Sequence, residues 1–173
     1  LRSKTTPRGA FLEPLNPLTV TLGIQNASFV AQAVDWIPEL IYEILSRAFH
    51  HKGCSFVRII QRCPEFLPEL LDPWLHDPNR TLLLTHEKGL QVSASLGRVY
   101  KNQREHDPMD IDRAREIASA GDPIPVGILY QNPAVPCYED LHAVEALRTP
   151  ELIQRGLEAE FDKFTIWPQE RAD

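Results

Sequence analysis

The sequence lacks most features that would reveal a site or a cell compartment directly. Among its 173 residues are three cysteines, Cys54, Cys63 and Cys137. This odd, widely spaced set argues against a disulfide framework and predicts a reducing, cytoplasmic setting. No CxxC pair is present, so these cysteines cannot complete a metal or cluster site alone. No run approaches about 20 apolar residues, which predicts no membrane span. The net charge of −6 disfavours a nucleic-acid or anionic-membrane surface.

Several catalytic and metal-binding motifs are also missing. The chain has no GxGxxG, no P-loop and no G-x-S-x-G elbow. Four histidines without HxxxH or HxH spacing are predicted to be solvent or capping residues: His76, His86, His106 and His142. Three aspartates lack the glycine and final glutamate of an EF-hand loop, so they are interpreted as caps: Asp107, Asp110 and Asp112.

Methionine is scarce and proline abundant. The chain begins at Leu1 and its single methionine is Met109, from which we expect a processed chain or a piece of a longer one. Many of the fifteen prolines crowd into residues 64–78 and 123–136. Such crowding favours long extended connections over a compact bundle.

The clearest pattern is a strand–helix–strand unit. Residues 28–34 and 55–61 read as strands rich in apolar and β-branched side chains. Between them, Asp35 is predicted to cap an amphipathic helix that Gly53 closes. A unit of about 30 residues with this order is typical of a parallel sheet covered by helices. The sequence therefore predicts an α/β fold.

Further elements are predicted along the rest of the chain. They are a strand at residues 81–85, a helix at 110–120, a strand at 124–130 and a final helix that opens at Thr149-Pro150. On one face of that final helix fall Ile153, Leu157, Phe161 and Phe164.

Cys63 comes just after the second strand, with Arg62 between them, and before Pro64, which ends regular pairing. Ligands in open α/β sheets collect at the carboxyl ends of strands. The position therefore suits a thiol that ligates a metal or faces a cofactor. The alternative is a small apolar side chain that fills a gap at the end of the sheet.

An ordered set of short matches resembles the β subunits of 2-oxoacid:ferredoxin oxidoreductases. The run HKGCSFVRIIQRCP at residues 51–64 is similar to the family's HKGFSFIDVLxPC. Four other runs lie in register with family patterns: KTTPRG with KTTPxG, NASFVA with GATFVAR, HDPMD with YDPTD, and IPVGILY with IPIGIFY. The resemblance covers nearly the whole chain in the right order.

The resemblance implies roles for the cysteines. In the family, the cysteine of the PC run is the fourth ligand of a [4Fe–4S] cluster, so Cys63 would be a cluster ligand. Arg62 replaces the family's proline, and a cation there would favour the thiolate. Cys54 occupies a phenylalanine position of the pattern and is expected to be a buried structural thiol. For Cys137, in a proline-rich loop, we expect surface or interface chemistry.

The resemblance also implies a cofactor whose main binding segments are not in this chain. The family holds thiamine diphosphate and Mg²⁺ through GDGD…N and NxIYGLTxGQ segments, which precede the residues matched here. Lys4, Thr5 and Thr6 would come just after those segments and near the thiamine diphosphate, the alternative being a solvated loop. Residues 1–63 would then form the C-terminal half of a thiamine-diphosphate-type domain. Residues 64–173 would form an extended arm that packs on partner subunits.

The implied activity belongs to a whole complex. In such an enzyme a 2-oxoacid is oxidatively decarboxylated to acyl-CoA, coenzyme A being the acceptor, and electrons pass to ferredoxin. The expected partners are an α subunit and the N-terminal half of the β subunit, and this segment alone is expected to be inactive. Among the 2-oxoacids we slightly favour 2-oxoglutarate. Two alternatives stay open: a natural small subunit that assembles with a separately encoded cofactor-binding half, and a non-catalytic α/β binding module.

Overall fold

A computed structural model describes residues 2–3, 6–67, 69–87, 89–142 and 149–164. The strands are β1 (Ala27–Val34), β2 (Cys54–Ile60), β3 (Thr81–Thr85), β4 (Gln103–Glu105) and β5 (Ile124–Gln131). The helices are α1 (Pro17–Thr21), α2 (Pro38–His50), α3 (Asp72–His76), α4 (Ala94–Val99), α5 (Ile111–Ala120), α6 (Tyr138–His142) and α7 (Pro150–Asp162). A short 3₁₀ helix, Pro78–Arg80, precedes β3.

The chain forms two compact units, Leu1–Cys137 and Tyr138–Asp173. The break expected after Cys63 does not coincide with this division. β3, β4 and β5 all belong to the same sheet as β1 and β2, so the first unit continues to Cys137. The reason is that β5 pairs with β1 and β3 and β4 extend the sheet beyond β5, so these strands do not form a separate arm.

The first unit is built on a five-stranded sheet of order β2-β1-β5-β3-β4. β1 pairs with β2 in parallel through the α2 crossover, as the strand–helix–strand pattern predicted. β5 runs parallel to β3 and antiparallel to β1, so the sheet is mixed but mostly parallel. The predicted α/β fold class is confirmed.

The start of α2 differs from the prediction. Ile37 is the N-cap residue and makes no side-chain capping hydrogen bond, while Pro38 occupies the first turn. The fixed φ of proline favours that position without a cap. Asp35 therefore does not cap the helix, and its carboxylate contacts Arg62 instead, as described below.

Apolar side chains cover both faces of the sheet. One cluster joins β1 and β5 to α2 through residues that include Phe29, Ile37, Leu40, Ile44 and Val126. The other joins the sheet to α1 and α5 through residues that include Leu18, Val30, Ala114, Ile117 and Leu129. β1 and β5 contribute to both clusters, and every residue of β1 is buried. The two central strands are thus enclosed, while β2 and β4 form the edges.

The second unit contains α6 and α7. Thr149 caps α7 by accepting a hydrogen bond from the Leu152 N–H at 3.4 Å, as the Thr-Pro start predicted. The predicted apolar side chains, including Ile153 and Phe161, are exposed. Within the described residues, none of the helices is both long and apolar enough to cross a membrane.

Candidate functional site at the carboxyl ends of two parallel strands

The carboxyl ends of β1 and β2 are joined by main-chain and side-chain contacts. The Asp35 N–H donates to the Ile60 carbonyl at 2.9 Å. The Asp35 carboxylate accepts from the Arg62 backbone N–H at 3.1 Å and from Arg62 Nε at 3.0 Å. This clamp fixes the backbone immediately before Cys63.

Cys63 is half-buried and is not part of a disulfide. Its carbonyl accepts a hydrogen bond from the Leu67 N–H at 3.1 Å, and the two residues form an isolated antiparallel bridge. The short turn that begins at Pro64 therefore holds Cys63 at the end of β2, where the sequence predicted it.

A cavity of about 470 Å³ adjoins this turn. Its lining includes Asp35, Gln61, Arg62, Pro64, Asp72 and Leu75. Among the described residues, no group of three or more histidine, cysteine, aspartate or glutamate side chains could hold a metal ion. A cluster at Cys63 would therefore need its other ligands from outside these described residues.

The positive charge of Arg62 is paired with a carboxylate and is therefore not directed at the Cys63 thiol. Its guanidinium pairs with Asp35, whose side chain is more buried, at 21% exposure against 49% for Arg62. The prediction that Arg62 favours a Cys63 thiolate is therefore weakened, because the carboxylate largely neutralises the cation. Asp35 is the residue that the sequence reasoning missed. A sequence signal existed in Asp35 and Arg62 themselves, since both directly follow strands predicted to be parallel neighbours.

Of the three residues predicted near thiamine diphosphate, the structure describes Thr6. Lys4 and Thr5 lie outside the described residues. Thr6 is exposed, and its hydroxyl lies 2.7 Å from the Ser3 hydroxyl. The Thr6 N–H also donates to Ser3 Oγ at 3.1 Å, so the segment forms a small polar turn. Nothing in this geometry brings Thr6 together with Cys63.

Two predicted roles were wrong. Cys54 is exposed, not buried, because it is the first residue of an edge strand. His106 is buried, at 3% exposure, and is not a solvent or capping residue. Its Nε2 lies 2.6 Å from the Leu129 carbonyl, and since a carbonyl can only accept, Nε2 carries the proton. His106 thus ties the segment after β4 to β5.

Three carboxylates predicted to be caps behave differently from one another. Asp110 accepts from the Arg113 N–H at 2.9 Å and caps α5. Asp107 accepts from the Met109 N–H at 2.9 Å in the preceding turn. Asp112 lies in the first turn of α5 and pairs with Arg115 at 3.1 Å. None of these contacts indicates a calcium loop.

Comparisons with known proteins show which proteins this chain is similar to. A family profile for the C-terminal region of the pyruvate ferredoxin oxidoreductase beta subunit matches residues 96–146. The 2-oxoacid:ferredoxin oxidoreductase subunit beta of Sulfolobus sp. is 28% identical over 146 residues, which cover 80% of this chain and 43% of that subunit. The 2-oxoglutarate oxidoreductase subunit KorB of Mycobacterium tuberculosis is 39% identical over 64 residues, or 37% of this chain and 17% of that subunit.

A solved structure has the same fold. It is the 2-oxoglutarate:ferredoxin oxidoreductase from Magnetococcus marinus with 2-oxoglutarate, coenzyme A and succinyl-CoA bound. The TM-score is 0.59 and the identity 24%, over 88% of this chain and 47% of that chain. The chain therefore spans less than half the length of these relatives.

Proposed function

Since the chain matches the C-terminal portion of 2-oxoacid:ferredoxin oxidoreductase β subunits, we propose that it forms part of such an enzyme. The enzyme would oxidatively decarboxylate a 2-oxoacid to acyl-CoA and CO₂ and pass the electrons to ferredoxin. The observation that supports this most strongly is the alignment of 80% of the chain with the Sulfolobus β subunit. Our slight preference for 2-oxoglutarate as the substrate is supported by the name of the mycobacterial relative.

The proposed partners follow from the fraction of its relatives' length that this chain covers. The chain corresponds to less than half of the relatives it matches, so we propose that it works with the N-terminal half of a β subunit and with an α subunit. Ferredoxin would be the electron acceptor. A cytoplasmic location is consistent with the absence of a disulfide among its cysteines.

Cys63 is the proposed ligand of a [4Fe–4S] cluster, which would carry electrons when bound. Its side chain is half-buried and is held by the turn at Pro64, which lines a cavity of about 470 Å³. Half-burial suits a thiolate ligand, because the sulfur must be accessible to the cluster while the cluster is screened from solvent. The chain supplies this one thiolate and positions it through the Asp35–Arg62 clamp.

Lys4, Thr5 and Thr6 are the proposed neighbours of thiamine diphosphate. Thr6 offers a hydroxyl on an exposed turn, which suits a peripheral contact to a polar group. Mg²⁺ prefers carboxylate oxygens and waters, and no cluster of such ligands is present among the described residues. We therefore propose that both groups are held mainly by the N-terminal half.

Reconstitution tests the proposal. The chain would be co-expressed with the N-terminal half of a related β subunit and an α subunit. We expect reduction of methyl viologen that depends on both 2-oxoglutarate and coenzyme A. A complex that assembles with all cofactors but reduces no dye with any 2-oxoacid would support the non-catalytic alternative.

The cysteines provide a matched control for the ligand assignment. Cys63→Ser should remove most of the cluster's visible absorbance and the dye reduction, because serine is a poor cluster ligand. Cys54→Ser should retain both, since that thiol is exposed at the start of β2. Full absorbance and activity in the Cys63→Ser complex would refute the assignment of Cys63.

A further inference from the structure

A second cavity lies on the sheet face covered by α1 and α5, and neither Cys63 nor Thr6 lines it. Its volume is about 560 Å³, within the range of small-molecule sites. Apolar side chains make up most of its wall, among them Leu18, Ile60, Leu70, Leu71, Trp74 and Ile124. Four polar side chains interrupt this wall, Asn16, Gln32, Arg58 and Gln61. The Asn16 amide is already hydrogen-bonded to Ala118 and Leu18, and the two that face each other across β1 and β2 are Gln32 and Arg58.

Gln32 is buried, at 1% exposure, and only half of its amide is satisfied. Its Nε2 donates to the Pro125 carbonyl at 2.7 Å. Its Oε1 accepts no hydrogen bond from any described residue. A buried acceptor without a donor is unfavourable, because it has lost its hydrogen bonds to water. The free oxygen therefore indicates that a donor can be supplied from the cavity.

Arg58 stands beside Gln32, because the two are register partners on β2 and β1. The side chain is half-buried and forms no ion pair or hydrogen bond with the residues that the structure describes. Burial lowers the pKa of its guanidinium, as expected when a cation leaves water without a compensating anion. A carboxylate in the cavity would provide that anion.

The wall opposite the strands is held in place by a separate contact. Trp74 Nε1 donates to Asp122 Oδ1 at 3.0 Å, and the Arg80 guanidinium lies 4.6 Å from the centre of the Trp74 ring. Arg80 also donates to Asp122 Oδ2 at 2.6 Å. The hydrogen bond from Arg80 is the main cause of a lowered pKa at Asp122, so this carboxylate stays charged and is already paired with Arg80. It does not neutralise Arg58.

We propose that this cavity binds a small carboxylate with an apolar chain and a hydrogen-bond donor next to the carboxyl group. Arg58 would donate to the carboxylate, and Gln32 Oε1 would accept from the adjacent hydroxyl. The apolar wall around Trp74 would hold the chain. This site is additional to the proposed oxidoreductase function and does not depend on it.

The test uses the full chain and three matched probes: hexanoate, 2-hydroxyhexanoate and hexanamide. Isothermal calorimetry should detect saturable binding of both carboxylates, with 2-hydroxyhexanoate binding more tightly and hexanamide at least about tenfold more weakly than hexanoate. The tryptophan fluorescence of the chain, to which Trp74 in the cavity wall contributes, provides a second readout. Equal binding of hexanoate and hexanamide, or no saturable binding of either carboxylate at millimolar concentration, would overturn the proposal.

Variants assign the binding to the two polar side chains. Arg58→Gln should weaken hexanoate binding by about tenfold or more, and Arg58→Lys by less, because lysine keeps the charge. Arg98→Gln is the matched control, since Arg98 is exposed on α4 and does not line the cavity. Unchanged hexanoate binding by a folded Arg58→Gln chain would contradict the assignment.

Gln32→Met should abolish the advantage of 2-hydroxyhexanoate over hexanoate, whereas the exposed Gln91→Met should preserve it. Circular dichroism and urea unfolding establish that each variant is folded.

If the assembled complex excluded hexanoate while the isolated chain bound it, the cavity would receive a carboxylate from a partner subunit instead. That result would overturn the small-molecule assignment.

Discussion

Asp35 and Arg62 join the ends of two parallel strands, with Arg62 Nε 3.0 Å from Asp35 Oδ1 and the Arg62 backbone N–H 3.1 Å from Asp35 Oδ2. The same carboxylate thus binds both a side chain and the main chain. Because the main-chain contact lies one residue before Cys63, the pair determines where that thiol is presented.

Removing the carboxylate should loosen this end of the sheet. We expect Asp35→Ala to lower the free energy of unfolding by about 1 kcal/mol, since it removes a partly exposed ion pair and a hydrogen bond to the backbone. Urea unfolding measures the change. Asp112→Ala, whose carboxylate is 87% exposed in its pair with Arg115, is the control and should cost less than about 0.5 kcal/mol. Equal losses in the two variants would contradict a special role for Asp35.

His106 should contribute more to stability than its sequence context indicates. His106→Ala removes a buried ring and leaves the Leu129 carbonyl without its donor, so we expect a loss of about 2–4 kcal/mol. His76→Ala alters an exposed histidine and should leave the urea midpoint nearly unchanged. A loss below about 1 kcal/mol for His106→Ala would mean that the hydrogen bond to Leu129 contributes little.

Gly127 cannot be replaced without cost. Its φ is +138°, and an added Cβ would lie 2.9 Å from Leu84 Cβ and 3.0 Å from the Leu84 carbonyl oxygen. Gly127→Ala should therefore destabilise the first unit by about 2 kcal/mol or more in thermal unfolding. In Gly156→Ala, on α7, the new methyl group meets no atom within 4 Å. That control should increase helix stability by about 0.5–1 kcal/mol.

His51 should make stability depend on pH. Burial lowers its pKa below the ordinary value of 6.5, and its Nε2 lies 2.9 Å from Ser28 Oγ. The unfolded chain therefore binds a proton near pH 6.5 that the folded chain takes up only at lower pH. Acidification through this range favours unfolding, and the loss levels off below the folded pKa.

His51→Gln should consequently show a smaller fall in the free energy of unfolding between about pH 7.5 and about pH 5.5 than the unmodified chain. His50→Gln, which changes an exposed neighbour, should keep the original slope. The proposal for His51 fails if both variants retain that slope.

The sequence predicted the local elements better than their assembly. β1, β2, β3 and β5 were identified within one residue at each end because their apolar and β-branched residues are bounded by turns. The antiparallel pairing of β5 with β1 was not predicted, since strand direction depends on the path of residues 61–123. The break expected after Cys63 failed for the same reason: prolines mark where a chain cannot pair, not where a sheet ends.

The candidate site was only partly predictable. The position of Cys63 follows from the strand that precedes it, whereas its clamp required knowing that Asp35 and Arg62 meet across strands. Gln32 and Arg58 are each a polar residue inside an otherwise apolar strand. That pattern indicates a polar site on the sheet, although the sequence alone did not lead us to predict one. His106 offered no such signal, since nothing in its neighbourhood indicates burial.

The place of β5 in the sheet has a consequence for biosynthesis. β5 lies between β1 and β3, yet it is the last of the five strands to be synthesised. A nascent chain that ends before residue 131 holds β1 and β2 without the neighbour that covers the other edge of β1. Contacts between segments so distant in sequence form late and slowly. Truncations upstream of β5 should therefore yield chaperone-bound or degraded protein, not a smaller folded core.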